Sequence, residues 1–212
     1  MKKKHVIPLF FVLIIILAAV LAAVITSIKP EIGECKSFFC DVKVLSLKTN
    51  IRVSNETENI GNIRGKVIRF LTDPLTMYNN EGTKIAYGSD EYHLIAQDSH
   101  MIFVNDRPSV EMVGKINLLS DSYDIYDTHG QKIATAKFNM FNTYGSIVST
   151  DGKLWADYHS NLLRFDYDVR ITYDCKLDNV TVLMMMASFY SDRTADLSSS
   201  SSSNSNSNSN SN

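Results

Sequence analysis

Between Leu163 and Asp174 apolar and polar residues alternate without a break. Leu163, Phe165, Tyr167, Val169, Ile171 and Tyr173 stand against Arg164, Asp166, Asp168, Arg170, Thr172 and Asp174. A period of two held that long predicts a strand with one face buried and the other in water. On such a strand Asp166 and Asp168 read as a solvated charge ladder rather than an acid–base pair. A second alternation runs through Val110–Leu118, where Gly114 predicts a bulge or bend. A third runs through Ala134, Ala136, Phe138 and Met140. Turn signals lie between the strands: Glu81-Gly82, His129-Gly130 and Asp151-Gly152. The last, inside Thr150–Lys153, is the strongest, because Asp-Gly supplies the positive φ angles of a tight hairpin.

Two stretches break the strand pattern. Asp178–Asp192, DNVTVLMMMASFYSD, is apolar for most of a dozen residues. A bilayer needs roughly 20 apolar residues, so the run is too short to cross one. Val180, Thr181 and Val182 favour strand, whereas Leu183, Met184, Met185, Met186 and Ala187 favour helix. With Asp178 or Asn179 as N-cap, the helix reading predicts an element that is apolar all round and buried on every side. The second stretch, Val6–Ile28, carries no charge and follows Lys2, Lys3, Lys4 and His5. As a helix it would extend roughly 34 Å, enough to span the hydrocarbon core. Pro8 in its first turn fits that reading. The competing reading is a signal peptide cleaved after its alanines, Ala18–Ala23 among them. Lysines on the N-terminal side alone place the N-terminus in the cytoplasm and the main domain outside or in a lumen.

The chain also repeats itself. Asp73–Ala86, DPLTMYNNEGTKIA, aligns without gaps on Asp121–Ala134, DSYDIYDTHGQKIA, each copy reading as strand, glycine turn, strand. A sheet built by repeating hairpins can curl and close, and a closed sheet needs its interior filled. Val180–Tyr190 is the candidate filling. The predicted fold is therefore mainly β: a closed antiparallel barrel around a central apolar C-terminal α-helix, preceded by one N-terminal transmembrane helix. Its organisation is a cytoplasmic stub and anchor (1–28), a linker (29–40), the barrel (41–196) and a Ser/Asn tail (197–212). From Ser198 that tail is Ser and Asn only, with no apolar area to bury, and is expected to be disordered.

With the unit Tyr126-Asp127-Thr128-His129-Gly130-Gln131-Lys132-Ile133-Ala134, the strand Tyr167–Ile171 and the apolar run Val180–Tyr190 ending at Asp192, the chain resembles the tubby C-terminal-like fold. The plant LURP-one-related proteins and the phospholipid scramblases are the members it is most similar to. The resemblance covers roughly Cys40–Asp196 and implies that the apolar run is the central helix of a closed barrel. Proteins of this group bind phosphoinositides through a basic surface, or move lipids with an acylated cysteine cluster and a C-terminal membrane helix. This chain has neither a basic domain nor such a cluster, so the resemblance implies a fold and not a residue-by-residue activity.

Charge and chemistry narrow the picture further. The formal net charge of −2 becomes −5 once the three N-terminal lysines are set aside. An acidic domain argues against nucleic acid as partner and against binding driven by anionic headgroups. The nearby basic residues Arg64, Lys66 and Arg69 read as a solvated strand edge. Cys35, Cys40 and Cys175 are disulfide candidates, with one bridge and one free thiol the simplest count in an oxidising compartment, and Cys175 bonded to Cys35 or Cys40. No histidine stands near Cys35 or Cys40 at metal-ligand spacing, so no metal or cofactor is expected. Asn55-Glu56-Thr57 and Asn179-Val180-Thr181 match the glycosylation acceptor pattern. Asn55 lies in a polar stretch open to modification in a eukaryotic secretory host, while a glycan on Asn179 would clash at the start of a buried helix. His93, His100, His129 and His159 are scattered, and Trp155 reads as a core anchor. The expectation is a membrane-anchored, non-catalytic barrel that binds a lipid or protein ligand. Its alternatives are lipid scrambling by analogy of fold, or an enzyme whose site assembles from distant residues such as Asp157, His159 and Asp166.

Overall fold

The computed structural model describes residues 35–45, 48–66, 75–91, 99–115, 122–139, 143–160 and 166–202. The predicted anchor Val6–Ile28 lies outside them. Among the described residues no helix is long and apolar enough to cross a membrane.

Twelve antiparallel strands form one closed ring in which each strand pairs with its neighbours in sequence. They are β1 (Cys35–Leu45), β2 (Lys48–Ser54), β3 (Asn59–Lys66), β4 (Thr76–Asn79), β5 (Lys84–Glu91) and β6 (Ser99–Val104), followed by β7 (Arg107–Lys115), β8 (Ser122–Tyr126), β9 (Lys132–Phe138), β10 (Tyr144–Ser149), β11 (Leu154–Ser160) and β12 (Tyr167–Thr172). β1 closes the ring against β12, with Phe38 opposite Val169 and Cys40 opposite Tyr167. One helix, α1 (Asn179–Ser202), follows β12. The strand β1 takes up residues 35–40, which the sequence had assigned to a linker; Phe38 and Cys40 alternate inward with Val42 and so belong to the wall.

A ring of about eight strands is filled by its own side chains, and one of about sixteen leaves a water-filled channel. Twelve leave room for roughly one helix, 10–12 Å across with its side chains. α1 takes that space. Every residue from Thr181 to Tyr190 is buried, and Val182, Met184, Met185 and Ala187 expose nothing. The helix threads the barrel from rim to rim. Asp178 caps it: Oδ1 accepts the Thr181 N–H at 2.9 Å and Oδ2 the Thr181 hydroxyl at 2.5 Å. At the other end Phe189 packs on Tyr123 and Phe138, and Tyr190 on Tyr167. The helix packs against β5, where a Cβ on Gly88 would stand 3.4 Å from Ile102 Cδ1 and 3.7 Å from Ser188 Oγ. Glycine there lets helix and strand touch. The backbone stays helical to Ser202. The Ser/Asn tail therefore does not lose its structure at Ser198 as expected; extending an existing helix costs far less than starting one.

The wall obeys the alternation. In β12 Tyr167, Val169 and Ile171 are buried and Asp168 is exposed; in β9 Ala134, Ala136 and Phe138 are buried. Tyr173 departs from it. Predicted on the inner face, it lies beyond the end of β12 in a turn and is 66% exposed.

The three predicted glycine turns are one structure used three times. After β4, β8 and β10 the amide of Asn79, Asp127 or Ser149 reaches the carbonyl of Thr83, Gln131 or Lys153 at 2.9 Å. The glycine amide returns to the first carbonyl at 3.0 Å, and Gly82, Gly130 and Gly152 take φ of 79°, 75° and 84°. This is a three-residue turn with a glycine bulge. Asp151 has no positive φ, so the expected two-residue hairpin at Asp151-Gly152 is corrected. That turn type belongs to Asn105-Asp106, both at positive φ (50° and 60°), between β6 and β7. The bulge expected at Gly114 is also elsewhere. Gly114 pairs regularly with Tyr123, and the register slips where Ile102 faces Val110 and Phe103 faces Pro108. Pro108 has no N–H to give the ladder, so the irregularity falls beside it.

Candidate functional site: the mouth of the barrel

The turns after β2, β4, β6, β8 and β10 and the link from β12 to α1 share one rim. The helix begins there, and two hollows open around its first residue. One of about 380 Å³ is lined by Lys36, Ser37, Phe38, Asn55, Thr57 and Asn179, together with Glu56 and Ile60. The other, about 280 Å³, lies among Lys36, Ile171, Thr172, Cys175 and Asn179, beside Asp178. Lys36 and Asn179 belong to both. Lys36 lies opposite Ile171 and shares the inward parity of Phe38 and Cys40, but at the rim it is exposed. The lining thus sets one ammonium group, two carboxylates, several hydroxyls and two carboxamides around apolar side chains, which suits hydrogen bonding and packing. Its nucleophile is the Cys175 thiol, which donates to the Leu177 carbonyl at 3.7 Å. Burial, with help from Asp178, raises the pKa of that thiol. It is held protonated and is no activated nucleophile.

Cys40 and Cys175 are both free thiols. Cys40 faces the core opposite Tyr167, at the start of β12, while Cys175 lies beyond the end of the same strand, its amide on the Thr172 carbonyl at 3.1 Å. Five residues of strand, roughly 16 Å, separate those two levels. A bridge between them therefore does not fit, since bonded cysteines need Cα atoms within about 7 Å. The Cys35 side chain lies outside the described residues. Burial pushes the Cys40 thiol up to about 12.

The three residues named for a dispersed enzyme site lie on β11 and just before β12. Asp157 and His159 do share the outer face of β11. Asp157, though wholly buried, is claimed by Arg170, directly opposite on β12, which donates from Nε to Oδ1 at 2.9 Å and from Nη2 to Oδ2. His159 packs its ring 5.0 Å from Tyr144. Asp166 stands one residue before β12, two before the Asp168 that lies opposite His159. There it adds to the effect of burial that takes the Tyr190 hydroxyl up to about 12. Among the described residues no three His, Cys, Asp or Glu side chains come together as a metal site. His93 lies outside them, His100 is buried, His129 stands in an exposed turn, and Trp155 is buried as expected. Of the basic edge, Arg64 is exposed with its guanidinium over the Tyr78 ring at 5.1 Å; the Lys66 and Arg69 side chains lie outside the described residues.

Sequence reasoning missed the mouth because three separate segments line it and no periodicity links them. It missed Arg170 as the partner of Asp157 because register across two strands decides that pairing. No family model, curated protein or solved structure matches the chain.

Proposed function

We propose that the chain is a membrane-anchored, non-catalytic binding or scaffolding barrel that meets a lipid or protein ligand at its mouth and on its outer wall. One observation carries this reading. Thr181–Tyr190 fill the space that a ligand-carrying barrel would leave empty, so binding falls to the rim, where the two hollows lie. The anchor is Val6–Ile28, with the N-terminus cytoplasmic and the barrel extracytoplasmic or lumenal. A closed antiparallel barrel completed by a C-terminal helix supports the tubby-like reading of the fold. Fold alone does not bring an activity with it.

The test uses the full chain in vesicles of neutral and of anionic lipid. The expected result is a protein that stays with the vesicles through alkaline extraction and leaves the rate of lipid flip-flop at its protein-free value. Accelerated flip-flop would replace binding with lipid transport, and release at alkaline pH would remove the anchor.

A further inference from the structure

The two Asn-x-Thr motifs lie far apart in the sequence, and the fold brings both asparagines to one hollow, where Asn55 and Asn179 stand with Lys36, Phe38 and Ile60. The fold treats them differently. Asn55 heads the turn between β2 and β3. Its Oδ1 accepts the Thr57 N–H at 2.9 Å, the Thr57 hydroxyl at 3.0 Å and the Glu58 N–H at 2.8 Å. Two backbone donors fix which amide atom is the oxygen, so Nδ2 is turned away from the loop. All three bonds join residues at most three apart, and the turn can form before the barrel closes. Asn179 is the first residue of α1. Its motif threonine, Thr181, is wholly buried, with its hydroxyl shared between the Asp178 carboxylate and, at 2.8 Å, Ser109 Oγ of β7.

We propose that Asn55 carries an N-linked glycan whose first sugar covers the hollow at the start of α1, and that Asn179 is left unmodified. The proposal rests on the lumenal placement of the barrel given above. Its donor is a polyprenyl-diphosphate-linked oligosaccharide. Asn55 Nδ2 attacks the anomeric carbon, the new C–N bond forms as the C–O bond to diphosphate breaks, Nδ2 gives up one proton, and the polyprenyl diphosphate leaves with the electron pair. The hollow suits a sugar ring. Phe38 and Ile60 meet its C–H face, and Lys36, Ser37 and Asn179 meet its hydroxyls. Its volume of about 380 Å³ lies in the range of small-ligand pockets.

The experiment expresses the full chain and the variants Asn55→Gln, Thr57→Ala and Asn179→Gln in a eukaryotic secretory host. It reads gel mobility before and after peptide N-glycosidase, protease protection of the barrel in sealed membranes, and amide exchange at residues 179–182. The expected pattern is one glycan, lost in Asn55→Gln and in Thr57→Ala and kept in Asn179→Gln, with exchange at 179–182 at least several-fold faster once the glycan is removed. A protected barrel without a glycan, or with one on Asn179, overturns the site while leaving the topology standing. An unprotected barrel overturns the topology and the glycan with it. A glycan on Asn55 whose removal leaves the exchange unchanged overturns the seating of the sugar in the hollow.

Discussion

α1 and β12 are neighbours in the chain, joined by residues 173–178, and both supply wholly buried side chains, yet they meet water in opposite ways. β12 divides its residues between two environments, with Val169 fully buried beside an exposed Asp168. α1 has no second environment. Ten successive residues are buried because the strands surround the helix on every side. A strand can therefore be polar at every other position, while the inner part of this helix tolerates only polar groups that find a partner, as Thr181 does in Asp178 and Ser109.

The largest test of this contrast is Met185→Asp, which would bury an unpaired carboxylate and is expected to abolish the cooperative thermal transition, since the cost rivals the whole stability of an ordinary domain. Asp168→Asn on β12 should melt within about 0.5 kcal/mol of the parent. Equal melting of the two proteins would mean that α1 is not enclosed. Next in size is Arg170→Met, which removes the guanidinium paired with the buried Asp157 and should cost about 3–5 kcal/mol, read from urea unfolding. Adding Asp157→Leu should recover most of that loss, and no recovery would show that the ion pair is not the cause. Met185→Leu keeps the volume and should cost under about 1.5 kcal/mol in the same assay. Asp178→Ala, which removes the cap on Thr181, is expected to cost about 1 kcal/mol.

The last test is a pH dependence. The Cys40 thiol, raised by burial from 9.0 to about 12 in the folded chain, gives stability that is fully present below pH 9 and lost as pH rises toward 12. Cys40→Ala should therefore flatten the decline of stability over pH 9–12, measured by urea unfolding at stepped pH. Part of the slope should remain, because burial also raises the Tyr167 and Tyr190 hydroxyls. An unchanged slope would place the thiol in water.

The repeated hairpin was legible in part. Asp73–Ala86 and Asp121–Ala134 share visible residues, but a third copy, Ile147–Ala156, keeps only Ile147, Thr150, Gly152 and Ala156 in common with the second. The structure shows what the copies have in common. Met77 faces Ala86, Ile125 faces Ala134 and Ile147 faces Ala156 across three identical turns. A large residue set against a small one on the inner face is a packing rule, and identity of residues is a poor guide to it. The turn at Asn105-Asp106 was overlooked for a related reason: Asn and Asp tolerate positive φ without a glycine to advertise it. The mouth was not legible at all, because Lys36, Asn55, Cys175 and Asn179 become neighbours only when β1 closes on β12 and the helix turns inward.

By itself the sequence determined which residues turn inward, where three of the glycine turns fall and that Val180–Tyr190 must be enclosed. Each of these follows from local periodicity, backbone preference or an apolar run too short for a membrane. Only the tertiary structure decided that the ring has twelve strands, that Arg170 neutralises Asp157, that the disulfide candidates Cys40 and Cys175 stand at opposite ends of one strand, and that both acceptor asparagines share one hollow. Those outcomes depend on register and closure. A shift of one residue between paired strands leaves the sequence pattern of each strand unchanged while giving every side chain a new neighbour.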